Sequence, residues 1–247
     1  MLNQIQKELK LANQKSLKPI KGTSLVELSL DNVVMVEAMI QNDSAYLKSA
    51  DKKAIPQYNK KGKIIYAGST AYWMSQLKEI LVDKQNTNKF ESVVAKAVCA
   101  VDRENSTHLN ADGCGREEIT QRIINETPKG LIEKLRAADL GLIGIISAKT
   151  MAKTKARTNL SFASKFCHYA CFYLFEGLPE QDNYSIYDNI VKKALPLYAD
   201  YYKLTLRSLD DYSAYQKAID EIIAKSNSGI SRNGFDHLLW YYFKGRI

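Results

Sequence analysis

Asp188 stands directly before NIVKKAL, with Lys192 and Lys193 one helical turn on. A carboxylate at a helix start is a candidate for general acid–base or electrostatic work. Asp is also a favoured N-cap, so the same side chain serves a purely structural reading. Upstream, Lys165 and His168 lie three residues apart and share one helix face. Lys165 reads as a phosphate contact or a solvated helix residue. His168 reads as a pocket-lining imidazole or as a satisfied core histidine. Residues 149–165, KTMAKTKARTNLSFASK, carry Lys149, Lys153, Lys155, Arg157 and Lys165 and no acidic residue. Such a run fits phosphate oxygens and equally fits a solvated basic face. Ser161 is placed to cap the helix after it. In the C-terminal SRNGFDHLLWYYFK, Arg232, Asn233, Asp236, His237 and Trp240 share a final helix. Trp240 offers a large aromatic face that most often packs in a core, and Tyr187 stands beside Asp188.

The elements that must hold these residues are helical. Apolar residues recur at helical spacing from Ser24 to residue 48 and over Ser69–Val82, with Tyr72, Trp73, Leu77, Ile80 and Leu81 on the core face. The pattern KGKIIYAG, 61–68, fits a short hairpin or an extended linker. Phe90–Val101 fits an apolar helix or a buried strand. Residues 102–115, DRENSTHLNADGCG, form the longest polar stretch, a candidate functional loop or lobe junction. Helices are expected at 116–126, 128–138 with Pro128 in a first turn, 139–152, 161–176, 188–204, 210–226 and 231–244. Phe162, Phe166, Tyr169 and Tyr173 make an apolar stripe. Strand signals are too few for a sheet, so the fold class is all-α.

The chain has 247 residues, 45% hydrophobic and 25% charged, an ordinary globular composition. Its formal charge of +8, from 35 basic and 27 acidic residues, fits a polyanion partner. No apolar run approaches a membrane span, and MLNQIQKELK has no segment suited to secretion, so a cytoplasmic address is expected. The four cysteines, Cys99, Cys114, Cys167 and Cys171, form no C-x-x-C pair. Cys167 and Cys171 read as buried free thiols. Cys99, His108 and Cys114 find no fourth ligand at a matching spacing, and no metal or cofactor is expected.

The stretch 157–198 resembles the core of the helix-hairpin-helix DNA glycosylases, the superfamily of endonuclease III, the adenine-mispair glycosylases and the 8-oxoguanine glycosylases. Residues 157–175 resemble the family's hairpin and its next helix. Ile186-Tyr187-Asp188-Asn189-Ile190-Val191 resembles its I-P-V-D-x-x-V stretch. The hairpin glycines of the family have no counterpart in TKARTNLSFASK, so basic side chains would take over phosphate capture, and the likeness is nearest to the 8-oxoguanine branch. The resemblance implies two helical lobes with a DNA-binding cleft between them, in one domain spanning 1–247. Approximate lobes are 1–115 and 116–230, with 231–247 as a helix packing back on the core. It further implies a monomer that flips a damaged or modified base out of duplex DNA and hydrolyses its N-glycosidic bond, in repair or in defence against phage DNA. Asp188 and Lys165 would be catalytic. Lys149, Lys153, Lys155, Arg157, Ser161, Lys192 and Lys193 would hold DNA. Tyr187, His168, Asp236, His237 and Trp240 would line the base pocket. The competing readings are a non-catalytic helical DNA-binding protein and a helical protein-interaction domain.

Overall fold

The computed structural model describes residues 16–42, 56–58, 64–67, 69–109, 115–150 and 158–247. Among them the architecture is helical but for one short antiparallel ribbon. In chain order the elements are α1 (Leu30–Asn42), β1 (Pro56–Tyr58), β2 (Ile64–Ala67), α2 (Thr70–Leu81), α3 (Phe90–Glu104), α4 (Gly115–Asn125), α5 (Thr127–Arg136), α6 (Leu140–Ser147), α7 (Leu160–Leu174), α8 (Asn189–Tyr202), α9 (Tyr212–Ser226) and α10 (Arg232–Phe243). β1 and β2 pair antiparallel with Pro56 opposite Ala67, so residues 64–67 of the segment expected to be a hairpin or a linker form a strand. No helix of the described residues is long and apolar enough to cross a membrane.

The chain forms two compact units, Leu47–Ile186 and Met1–Tyr46 with Tyr187–Ile247. This division differs from the expected lobes, whose boundaries fell after residues 115 and 230. The reason lies in the packing: α1 packs on α10 and so joins the C-terminal helices, whereas α4 to α7 pack with α2 and α3.

In the 47–186 unit, α2 packs on α3 and α7, α3 packs on α4, and α6 packs on α7. Met74, Leu77, Val94, Val98, Ile119, Ile123, Leu131, Leu135, Phe162 and Phe166 are fully buried there. Tyr169 and Tyr173, the other half of the expected aromatic stripe, are only half-buried. Ser69 caps α2 by accepting from the Tyr72 N–H at 3.2 Å. The ambiguous Phe90–Val101 segment is helical. Its apolar positions 90, 93, 94, 97, 98 and 101 are all buried, the spacing of one helix face.

The polar 102–115 stretch starts inside α3, and its first residue anchors the turn beyond that helix. Asp102 is buried and accepts from the Thr107 hydroxyl at 2.5 Å, the Leu109 N–H at 3.0 Å and the Arg116 Nε at 2.7 Å. Gly115 is required by close approach, since a Cβ there would meet the Leu109 carbonyl oxygen at 2.3 Å. Truncating Asp102 leaves these donors unsatisfied in or near the interior. Asp102→Ala is expected to lower the unfolding free energy by about 2–4 kcal/mol, measured by urea denaturation.

In the other unit the expected helix from Ser24 begins instead at Leu30. Residues 18–27 close on themselves: Ile20 N–H donates to the Leu25 carbonyl at 2.8 Å and Glu27 N–H to the Lys18 carbonyl at 2.9 Å. Asn32, fully buried, seals that turn by donating to the Lys18 and Glu27 carbonyls and accepting from the Lys18 N–H. Tyr198 of α8 donates to the Val26 carbonyl at 2.6 Å. Gly234 lets α10 lie against α1, because a Cβ there would stand 2.9 Å from Val33 Cγ1.

Candidate active site

Lys165 is carried by α7, which packs against α6. Arg122 donates to the carbonyls of Ala148 and Lys149 at 2.7 and 2.9 Å, ending α6. This stops the helix at Ser147, short of the expected residue 152. Asn159 N–H donates to the Ser147 carbonyl at 3.0 Å, and its side chain donates to Thr150 Oγ1 at 3.1 Å. The ends of the connector 148–159 are thereby drawn together between two packed helices. Lys149 is exposed. Lys153, Lys155 and Arg157 lie outside the described residues.

Ser161 does not cap α7. Asn159 holds the N-cap position without a side-chain cap bond, and Ser161 sits inside the first turn. Its hydroxyl instead accepts from Lys165 Nζ at 2.9 Å. Lys165 is 7% exposed, the one buried lysine among the described residues. That burial removes the reading of a solvated helix lysine. Buried lysines are scarce because their ammonium loses hydration. His168 is buried as well, with Nδ1 2.9 Å from the Tyr184 carbonyl and its ring stacked on Phe172 at 6.2 Å. Nδ1 therefore carries the proton, since a carbonyl can only accept. The loop after α7 is tied down by Tyr184, whose hydroxyl donates to the Lys134 and Asp139 carbonyls, and by Asn183, which donates to the Leu135 and Arg136 carbonyls.

Cys167 and Cys171 are buried free thiols, and burial pushes both thiols well up from their ordinary value. Their burial as free thiols is as expected. Cys114 lies outside the described residues.

Asp188 is the second residue of the other unit's returning segment, Tyr187–Ile247. It is the N-cap of α8 with extended backbone (φ −117°, ψ 143°), and its Oδ1 accepts from the Ile190 N–H at 2.7 Å. Its side chain is half-buried. The cap and the catalytic candidate are thus one residue. Lys192, one turn on, pairs with Asp210 and lies over the Tyr187 ring at 5.5 Å. The hydrogen bond from Lys192 holds the Asp210 carboxyl below its ordinary value, and the same bond raises the lysine. Asp210 is exposed and Lys192 only half-buried, so solvent screens the pair and it adds little to stability. It does give Lys192 a carboxylate partner of its own. Lys193 is exposed. Tyr187 packs its ring 4.9 Å from that of Tyr215. Asp210 and Tyr215 had no signal in the sequence, because their contacts are made across a loop and a helix rather than within a motif.

On α10, Ser231 caps the helix by accepting from the Gly234 N–H. Asp236 is buried, and Trp240 is half-buried with Lys244 Nζ 3.8 Å above its ring. His237 Nδ1 lies 2.5 Å from Glu37 Oε1 of α1. Burial pushes the His237 imidazole down, but the Glu37 hydrogen bond and charge, with Asp236 nearby, raise it above its ordinary value. A raised histidine stabilises the fold fully below the unfolded value near 6.5, and this contribution fades as pH rises through the folded value. Unfolding free energy is therefore expected to fall as pH is raised from about 6 to about 9, and Glu37→Gln is expected to flatten that slope. Urea titrations across this range check the prediction.

Among the described residues no group of three or more His, Cys, Asp or Glu could hold a metal ion. The family model HI_0787_N, an N-terminal domain, matches residues 52–172. That span falls within the 47–186 unit, includes Lys165 and His168, and ends before Asp188. No curated protein and no solved structure matches the chain.

Proposed function

We propose that the protein is a DNA glycosylase of the helix-hairpin-helix type, acting on a damaged or modified base in duplex DNA. The observation that carries the reading is the burial of Lys165, in a chain that then opens its next α-helix on the partly exposed Asp188. A lysine withdrawn from water on an apolar helix costs stability, and such groups concentrate at functional sites. The order of a lysine-bearing helix, a loop and a helix-opening aspartate supports this reading.

In this reading the target nucleotide leaves the stack at a cost of a few kcal/mol and enters a pocket. The glycosidic bond breaks with its electron pair going to the base, and positive charge develops at C1′. Asp188 stabilises that charge. Two nucleophiles can complete the reaction. Water can attack C1′ and pass a proton to Asp188, leaving an abasic site. The Lys165 amine can attack instead, and ring opening then gives a protonated imine that permits strand cleavage. Lys149 and Lys193, with the basic residues of 149–157, supply contacts to phosphates, which fix the DNA without selecting a base.

The test is direct. Duplexes carrying single damaged bases, and phage DNA carrying modified cytosines, are incubated with the protein and then treated with alkali. Cleavage at the position of the modified base supports the reading. Intact strands in every substrate contradict it.

A further inference from the structure

Tyr215 of α9 is fully buried, its ring lies 4.9 Å from Tyr187 and 6.3 Å from Tyr212, and its hydroxyl is hydrogen-bonded to the backbone of Asp188. Asp188 is thus held twice. Its carboxylate is fixed from within α8 by the Ile190 N–H, and its backbone is fixed from α9 by a tyrosine. The first contact sets the rotamer. The second sets where the residue stands at the helix entrance. A buried tyrosine hydroxyl needs a partner, and the Asp188 backbone serves as one here, with the Asp236 carboxylate also close enough to act on the phenol.

We infer that Tyr215 is a positioning residue for the Asp188 carboxylate. The inference rests on the glycosylase reading. It places the tyrosine outside any contact with DNA, so it acts on rate and not on affinity. A carboxylate displaced by a fraction of an ångström from the developing charge loses part of its electrostatic benefit, whereas phosphate contacts elsewhere are unaffected.

Tyr215→Phe keeps the ring and removes only the hydroxyl. Tyr198→Phe is the matched control: it removes another buried hydroxyl of the same unit, the one that donates to the Val26 carbonyl at 2.6 Å. Both variants lose a buried hydrogen bond, so their melting temperatures should fall alike. Base release is measured on a duplex with one 8-oxoguanine opposite cytosine and on phage DNA with modified cytosines. For Tyr215→Phe the expected result is kcat lowered about tenfold, with KM and duplex Kd within about twofold of wild type. For Tyr198→Phe all three are expected to stay within about twofold. Equal rates for Tyr215→Phe and wild type overturn the role of Tyr215 alone. Equal losses in the two variants also overturn it, because stability then accounts for the effect. No release by wild type from either substrate overturns the glycosylase reading and the positioning role with it.

Discussion

Asp188→Asn is expected to abolish base release, lowering the single-turnover rate by about two to three orders of magnitude, while leaving the protein folded. The choice of Asn separates the two duties of this residue. Asn caps a helix about as well as Asp, so the bond from the Ile190 N–H survives and α8 starts where it did. What disappears is the negative charge. A loss of rate at unchanged melting temperature therefore belongs to the chemistry. Asp188→Ala removes both and is expected to cost about 1 kcal/mol of stability as well. If Asp188→Asn releases base at the wild-type rate, the carboxylate is a cap and nothing more.

Lys165→Met carries the second large effect. Borohydride added during turnover reduces a protonated imine to a stable amine, leaving protein and DNA covalently joined. The wild type is expected to give such an adduct, and Lys165→Met is expected to give none. The same substitution removes a buried amine and keeps an unbranched chain of similar volume. A far-ultraviolet circular dichroism spectrum like that of the wild type shows that the variant is folded. Loss of the adduct with the fold kept is the pattern of a residue that takes part in the chemistry. An adduct that persists in Lys165→Met moves the nucleophile to another amine. No adduct in either protein, with base still released, assigns the reaction to water alone.

The helices were legible where their ends are chemically marked. Ser69, Asp188 and Ser231 each precede an amphipathic run, and each caps the helix expected there. The start of α1 was misplaced because the apolar residues Leu25, Val26 and Leu28 continue a helical spacing while lying in a turn sealed by Asn32, a contact the sequence pattern does not contain. Ser161 has a favourable cap residue type, yet Asn159 takes the position, because its side chain is held by Thr150 across the connector. The burial of His168 and of the Cys167 and Cys171 thiols agreed with their place on an apolar helix. The burial of Lys165 had no such warning, since a lysine carries no signal that its own ammonium is withdrawn from water. The partners Asp210 for Lys192 and Tyr215 for Asp188 come from later in the chain, and no local spacing announces them.

The proposal that this chain breaks glycosidic bonds is tested most directly by mass spectrometry of the small molecules freed when the wild type acts on DNA with modified bases. The expected product is a free base lacking its sugar, present with wild type and missing with Asp188→Asn. Nucleosides or nucleotides in its place, or no small product from any modified DNA, would contradict the account.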